Sequence, residues 1–338
     1  MTQVAQMIKK LLAQIGIIST LTSLNCVYAT EYLAHLQRLP KAELHLHLSG
    51  AYPKDYLFSI ATEKQQEALE NALRKIREGL DYHEVFHVFQ LVHQIIHSEE
   101  KVQKGVEALC LALKEDGVHY VEIRSGLKNL GQGTEAYLNA ILSGISTHNS
   151  DMFQATLLLS LQRNSPVSVV RETIDLALKY KNQGVIGIDI SGDSTIGEVD
   201  LILPELLRAK QAGLPFVLHI GESPGEQDQI TLLMALKPSR IGHGVYLSSN
   251  ATEWVLSNKI PLEVCLTSSV LVRMINQHDE HPGIHFFKQG HPIVFCTDDP
   301  LLFSTSLSQE LLLAHKKAGL SKEDVEKIAR NSLQYKIR

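Results

Sequence analysis

Histidines and carboxylates recur at the ends of apolar segments in this chain, and their spacing suits metal chemistry. His45 and His47 lie two residues apart in the segment AELHLHL. Alternate residues of a β-strand face the same side, so both imidazoles can reach one ion. Later segments end with the further candidates His219, Glu222, His243, Asp298 and Asp299. Imidazole nitrogens and carboxylate oxygens suit Zn²⁺, with Co²⁺, Fe²⁺ or Mn²⁺ as alternatives. The sequence therefore predicts a metal site whose candidate ligands are His45, His47, His219 and Asp298.

Each motif taken alone has a simpler explanation. A single histidine at a strand end is more often a structural residue than a ligand. The triplet Asp298-Asp299-Pro300 is typical of a turn that caps a helix. The sequence RIGHG, residues 240–244, can be a tight glycine turn. The combination of HxH, HxxE, GHG and TDD at successive segment ends favours the metal site over these alternatives.

The elements that must position these side chains alternate between two patterns. Eight short apolar segments lie at 42–48, 118–125, 153–161, 184–191, 215–222, 240–244, 261–268 and 292–299. Nearly continuous apolar runs are typical of parallel strands buried on both faces. Helical patterns lie between them, for example at 169–184, 197–214 and 308–320. This alternation predicts an α/β fold, a (β/α)8 TIM barrel. A doubly wound open sheet is the alternative, although no Gly-rich nucleotide-binding motif follows any strand.

In such a barrel the active site lies at the carboxyl ends of the strands. The candidate residues all lie at those ends, as do Asp189 and Asp193 near the end of the fourth strand. The first two strands are separated by residues 49–117, which have a helical pattern and are far more than one helix needs. We therefore expect a helical insertion after strand 1 that covers the mouth of the site.

Composition excludes several classes of protein. The chain has 338 residues, 44% of them hydrophobic, which is enough for one large core in residues 30–338. A net charge of −5 gives no sign of a nucleic-acid partner. The four cysteines are far apart and form no CxxC pair, and we expect Cys110, Cys265 and Cys296, which lie in apolar stretches, to be buried thiols. No PCxxC sequence occurs, which argues against the zinc site of enzymes that edit RNA or DNA.

The amino terminus has the pattern of a secretory signal peptide. Lys9 and Lys10 precede an uncharged stretch, and Val27-Tyr28-Ala29 has the small residues of a cleavage site. Residues 1–29 are therefore predicted to be removed on export, which would give a periplasmic or secreted protein with no membrane partner. The alternative is an ordinary amino-terminal helix on a cytoplasmic protein.

The motifs ELHLHLSGA, HIGE, RIGHG, CLTSS and CTDDP occur in an order that resembles the adenosine deaminase family of metal-dependent hydrolases. The resemblance covers about residues 39–338, and GIDISGD and HPIVFCTDDPLLF are most similar to the adenosine-deaminase-like branch, which includes N6-methyl-AMP deaminases. It implies one Zn²⁺ on the four candidate ligands. The fourth strand ends Ile190-Ser191-Gly192 with no lysine, so a second, lysine-bridged metal is not expected.

The resemblance also implies roles for single residues in the deamination of a purine. Glu222 would protonate ring N1, and His243 would orient the attacking water or take its proton. Asp299 would contact N7, and the backbone amide of Gly192 would contact N3. His47 would face the substrate as well as the metal ion.

The same resemblance leaves the exact substrate open. Lys128 stands just past the second strand, where a basic residue of the nucleotide deaminases is expected to hold a phosphate, and His93 matches a substrate-side histidine of that branch. Ser49 and Gln162 depart from the pattern of the nucleotide enzymes. These departures and the predicted leader favour adenosine, converted to inosine and ammonia, with N6-methyl-AMP as the alternative. An adenine or cyclic-amide hydrolase and a catalytically silent purine-binding protein are further alternatives, and the sequence gives no oligomeric state.

Overall fold

The computed structural model describes residues 30–78, 83–197 and 199–337. Eight parallel strands pair in sequence order from β1 to β8. They are β1 Lys41–His47, β2 Val118–Ser125, β3 Gln154–Gln162, β4 Val185–Ser191, β5 Phe216–Ile220, β6 Arg240–His243, β7 Leu262–Val264 and β8 Ile293–Phe295. Helices alternate with these strands around a nearly closed barrel. The predicted (β/α)8 fold is therefore confirmed.

The barrel closes at the predicted metal ligands. β8 and β1 are joined by a bridge between Leu46 and Asp298. The Asp298 amide donates to the His45 carbonyl at 2.9 Å, and the His47 amide donates to the Asp298 carbonyl at 2.9 Å. The backbone thus fixes the only carboxylate among the predicted ligands directly beside the two histidines of β1.

The helical insertion after β1 is also confirmed. It contains helices Lys54–Ile60, Glu63–Arg77 and His83–Ile95, followed by Glu99–Glu115, which leads into β2. Thr62 and Gln65 cap the second of these reciprocally, as the capping-box pattern requires. The other main helices are Thr134–Ser146, Val167–Tyr180, Val199–Gln211, Gln229–Leu236, Ser249–Ser257, Leu266–Leu271, Pro282–Lys288, Pro300–Phe303, Leu307–Lys316 and Lys322–Ser332.

Three predicted strands are too long at their carboxyl ends. β5 ends at Ile220 because Gly221 takes the left-handed conformation, with φ of 75°. β8 ends at Phe295, before the two aspartates. The CLTSS sequence, predicted as strand, instead begins helix Leu266–Leu271. Glu222, Asp298 and Asp299 therefore lie in the turns that follow β5 and β8, whereas the polar residues of CLTSS lie in the helix that follows β7.

The predicted signal peptide, residues 1–29, lies outside the described residues. Within the described part of the chain, none of the helices has the length and apolar character needed to cross a membrane.

Candidate active site

Nitrogen and oxygen atoms from three strand ends converge at the carboxyl end of the barrel. His47 Nε2 lies 3.1 Å from His219 Nε2 and 3.4 Å from Asp298 Oδ1. His45 Nε2 lies 3.3 Å from Asp298 Oδ1 and has no hydrogen-bond partner among the described residues. Ligands at ~2.0–2.1 Å from a tetrahedral zinc ion are roughly 3.3 Å apart. The four predicted ligands are therefore close enough together to hold one metal ion.

His47 has the protonation state that a metal ligand needs. Burial, and then the neighbouring His219, lower the pKa of His47 to about 3. The imidazole is therefore neutral near pH 7, so its Nε2 lone pair can bind a cation. His243 and Glu222 also belong to groups with metal-binding geometry around the same centre.

Two residues of the site adopt the left-handed backbone conformation that few side chains take. Asp298 and His243 both have φ of 63°. Such a conformation costs on the order of 1–3 kcal/mol and is found most often at functional sites. The turn at Asp298, ahead of Pro300, lets adjacent carboxylates serve different partners. Asp298 faces the histidines, whereas Asp299 lies against Gly50 and lines the cavity.

A second set of side chains orients the ligands, and sequence reasoning missed most of it. His45 Nδ1 donates to Glu263 Oε2 at 2.8 Å, and His219 Nδ1 lies 3.0 Å from Asp189 Oδ1. Ser268 donates to Asp298 Oδ2 at 2.6 Å. Such partners fix the orientation of each ring and leave its Nε2 facing the predicted metal position. The available signal for Glu263 was a charged residue within the apolar segment PLEVCLTS.

The predicted catalytic side chains line one cavity of about 470 Å³. The predicted site residues that line this cavity are His47, Ser49, His93, Lys128, Gly192, His219, Glu222, His243, Asp298 and Asp299. His45 is fully buried and is not among the lining residues. Glu222 Oε1 lies 3.5 Å from His243 Nε2. Glu222 Oε2, His243 Nδ1 and Asp299 Oδ1 are buried atoms without a hydrogen-bond partner among the described residues. These polar atoms need a ligand or water in the cavity to satisfy them.

Burial sets the protonation of these groups for acid–base work. It raises the pKa of Glu222 to about 7, so this carboxyl can carry a proton near neutrality. Burial and the charge of Asp298 raise the pKa of Asp299 well above its ordinary value. Burial lowers the pKa of His243 well below its ordinary value, which keeps this imidazole neutral. The site thus combines two carboxyls that can carry a proton with one imidazole that is held neutral.

Comparison with known proteins agrees with this geometry. The family model for adenosine deaminase matches residues 40–336. The chain belongs to the adenosine deaminase family. An N6-methyl-AMP deaminase of Danio rerio is 33% identical over 324 residues, which cover 90% of this chain and 92% of that protein. This adenosine deaminase family member is accordingly a hydrolytic deaminase that acts on C–N bonds.

Solved structures support the same assignment. The crystal structure of Arabidopsis N6-methyl-AMP deaminase is 31% identical, with a TM-score of 0.83, over 90% of this chain and 95% of that one. A related Arabidopsis chain crystallised with IMP is 30% identical, with a TM-score of 0.81, over 90% and 93% of the two chains. The resemblance read from the motifs is therefore confirmed.

In this family member, three predicted substrate-side residues form one hydrogen-bonded cluster. Ser49 Oγ lies 2.9 Å from His93 Nε2, and Lys128 Nζ donates to Ser49 Oγ at 3.2 Å. Lys128 also donates to the Tyr137 hydroxyl at 3.2 Å. His93 comes from the helical insertion, so the insertion supplies part of the cavity wall as predicted. Lys128 is half-buried in this wall rather than solvated at the surface.

The residues singled out near the ends of the third and fourth strands have different placements. Gly192 lines the cavity with φ of 86°, and a Cβ there would lie 3.0 Å from the Gln162 side chain. Gln162 itself lines the cavity. Asp193 is not among the lining residues and accepts bonds from Thr195 instead. Of the two aspartates noted near the fourth strand, only Asp189 contacts one of the predicted metal ligands, His219.

Gly50 leaves the space that Asp299 occupies, and we expect Gly50→Ala to impair catalysis. A Cβ at this position would lie 1.8 Å from Asp299 Oδ1. The carboxyl must therefore move, and a displacement near 1 Å in an active site costs roughly 10²-fold in rate. We expect kcat/KM to fall by about that factor, and the free energy of unfolding to fall by ~1–3 kcal/mol because the buried site is overpacked. Normal activity in a folded, metal-replete Gly50→Ala protein would contradict the assigned position of Asp299.

Proposed function

We propose that this enzyme hydrolyses N6-methyl-AMP to IMP and methylamine, with one zinc ion at the His/Asp cluster. The observation that carries the choice of a nucleotide is the state of Lys128. No carboxylate among the residues described pairs with its ammonium group, which bonds only to the hydroxyls of Ser49 and Tyr137. Its side chain nevertheless lines the cavity that holds the catalytic groups.

Charge balance explains why this favours a phosphorylated substrate. A half-buried ammonium group without a counter-charge is unfavourable, and a phosphate would supply that charge together with strong hydrogen-bond acceptors. Ser49 and His93 lie beside Lys128 and can join the same contact. A nucleoside would leave the ammonium group unbalanced.

Adenosine, which the sequence favoured, is the less well supported substrate. Relatives in Danio rerio, Mus musculus and Homo sapiens, at 32–33% identity, carry the name N6-methyl-AMP deaminase. Ser49 and Gln162 differ from the pattern of the nucleotide enzymes, but they do not weaken this choice. Both side chains are uncharged, so neither cancels the positive charge of Lys128.

The metal ligands suit zinc in this role. His45, His47, His219 and Asp298 would hold the ion. When bound, zinc supplies the Lewis acidity that activates a water for attack.

The remaining chemistry belongs to the side chains of the cavity. We infer that Glu222 gives its proton to purine N1, which makes the adjacent C6 more electrophilic. His243 accepts one proton of the attacking water and passes it to the nitrogen of the leaving methylamine. The second proton leaves the C6 oxygen as the carbonyl forms and returns to Glu222. Purine N7 is an acceptor, so Asp299 must donate to it, as its raised pKa permits. The Gly192 amide faces N3, and the lack of a side chain at this position lets the base approach the backbone closely.

Replacing Lys128 with methionine tests the choice of substrate. We expect kcat/KM for N6-methyl-AMP to fall about 10- to 100-fold, because a hydrogen bond to a charged group contributes ~1.5–3 kcal/mol. Turnover of N6-methyladenosine, which has no phosphate, should change less than threefold. Initial rates with both compounds and with adenosine provide the measurement.

The matched control is Lys104→Met, which removes an exposed lysine paired with Glu107 outside the cavity. An equal loss with both substrates would reject a phosphate contact at Lys128. Faster turnover of adenosine than of N6-methyl-AMP by the unmodified enzyme would reject the proposed substrate itself. Faster turnover of free adenine would instead favour an adenine deaminase.

Export stays a separate proposal that depends on residues 1–29 alone. We propose that these residues direct the chain to a periplasmic or secreted location. Sequencing of the mature amino terminus tests it, with Thr30 as the expected first residue and an intact Met1 as the contrary result.

A further inference from the structure

A buried arginine, Arg124 of β2, connects the partners of two metal ligands. Its guanidinium has no exposed surface. Nη2 donates to Glu263 Oε2 at 2.6 Å, and Nη1 donates to Asp189 Oδ1 at 3.2 Å. Glu263 is the partner of His45, and Asp189 is the partner of His219. A continuous chain of polar contacts therefore crosses the barrel interior from one ligand to the other.

The oxygen atoms of both carboxylates are fully engaged in this chain. Glu263 Oε1 accepts from Arg240 Nε at 2.7 Å, and Oε2 accepts from His45 and Arg124. Asp189 Oδ2 accepts from Ser160 at 2.8 Å, while Oδ1 faces Arg124 and His219. Full engagement leaves each carboxylate one orientation, so each histidine ring also has one orientation.

Arginine is suited to this position in a way that lysine is not. Two carboxylates buried in one barrel repel each other unless a cation lies between them. The planar guanidinium reaches both at once and also donates to the Leu44 carbonyl at 2.7 Å, next to His45 in β1. A lysine ammonium group is a single point of charge and cannot keep this three-way geometry.

We propose that Arg124 is a positioning residue shared by two metal ligands: through Glu263 and Asp189 it holds the rings of His45 and His219 in the orientation that the ion requires. The inference rests on the proposed metal site, but it is independent of which purine is the substrate. It predicts that the two ligands lose their alignment together when Arg124 is changed.

The experiment compares metal affinity in Arg124→Lys, Glu263→Gln and the double variant. We expect Arg124→Lys to weaken zinc binding about 10- to 100-fold, the range for residues that orient metal ligands without touching the ion. Chelator competition measures this affinity. The absorption spectrum of the Co²⁺-loaded protein should shift, because the ligand geometry changes. The loss of zinc affinity in the double variant should be smaller than the product of the two single losses, because both substitutions disrupt the same chain of contacts.

Arg240→Lys is the matched control, because Arg240 is also buried and paired with Glu263 but does not contact Asp189. It should affect zinc affinity less than Arg124→Lys does. Should Arg124→Lys not fold, the charge-balanced pair Arg124→Gln with Glu263→Gln, which removes one charge of each sign, is compared with Glu263→Gln alone, and its apo protein is compared with the wild type in thermal unfolding. The proposal would be overturned if the substitution lowered the stability of the apo protein but left zinc affinity and the Co²⁺ spectrum unchanged. It would also be overturned if the loss of zinc affinity in the double variant equalled the product of the two single losses.

Wild-type protein that binds zinc but does not turn over N6-methyl-AMP would reject the proposed substrate and leave this inference standing.

Discussion

Glu222→Gln is expected to lower kcat by about 10²- to 10⁴-fold, the range for loss of a general acid. The glutamine amide has nearly the same shape and can still hydrogen-bond, but it cannot give up a proton to the purine ring. Zinc content should be unchanged, because Glu222 is not one of the four predicted ligands. Steady-state kinetics and metal analysis of the same protein sample measure both quantities.

Asp193→Asn is the matched control for this substitution. Asp193 is a carboxylate near the same face of the barrel that bonds to Thr195 and does not line the cavity. It should retain near-normal activity. Near-normal turnover by Glu222→Gln would show that another group donates the proton.

The pH profile gives an independent check on Glu222. Its carboxyl must be protonated to act as an acid, and its pKa is raised to about 7. The rate should therefore fall as pH rises through about 7, and the residual rate of Glu222→Gln should lack this decrease. A decrease that persists unchanged in the variant would assign it to another group.

Asp298→Ala is expected to remove metal binding and activity together. Asp298 is the only carboxylate among the four predicted ligands and is locked to β1 by two backbone hydrogen bonds. Its loss should weaken zinc binding by more than ~10- to 100-fold, which is the range for loss of a side chain that only hydrogen-bonds to a metal ligand. Zinc should no longer raise the unfolding temperature, because an ion stabilises only the state that binds it. Chelator competition and thermal unfolding with and without zinc test this.

The adjacent residue provides the sharpest comparison for Asp298. Asp299→Ala removes a neighbouring carboxyl of the same cavity, yet it should retain zinc and lose turnover instead. If both variants kept zinc equally well, the ligand assignment of Asp298 would be rejected.

Much of the fold was predictable because local sequence patterns carry it. The two-residue spacing of His45 and His47 places both rings on one face of β1, whatever surrounds them. The parallel strands are buried on both faces, so each appears as an apolar segment, and most predicted starts lie within one residue of the observed ones. The family motifs then gave the candidate ligands and most of the candidate residues that line the cavity.

The ends of the strands were harder to predict, because they depend on single backbone angles. Gly221 and Asp298 adopt positive φ, and each bends the chain one residue before the end of the predicted segment. Leu266–Leu271 is rich in apolar and β-branched residues, yet it forms a helix. Tertiary contacts such as the bond from Ser268 to Asp298 select that conformation over the local preference.

The sequence by itself determined the barrel, the metal-binding residue types and the candidate acid and base. Only the tertiary structure decided which charged groups pair with one another. Arg124, Asp189 and Glu263 are distant in the chain and meet only because the barrel closes around them. Lys128 likewise lacks a carboxylate partner among the described residues, and no local pattern could reveal that. The energy of a buried charge is set by the groups within a few ångströms of it. Because these groups come from distant parts of the chain, sequence spacing does not reveal which charges pair.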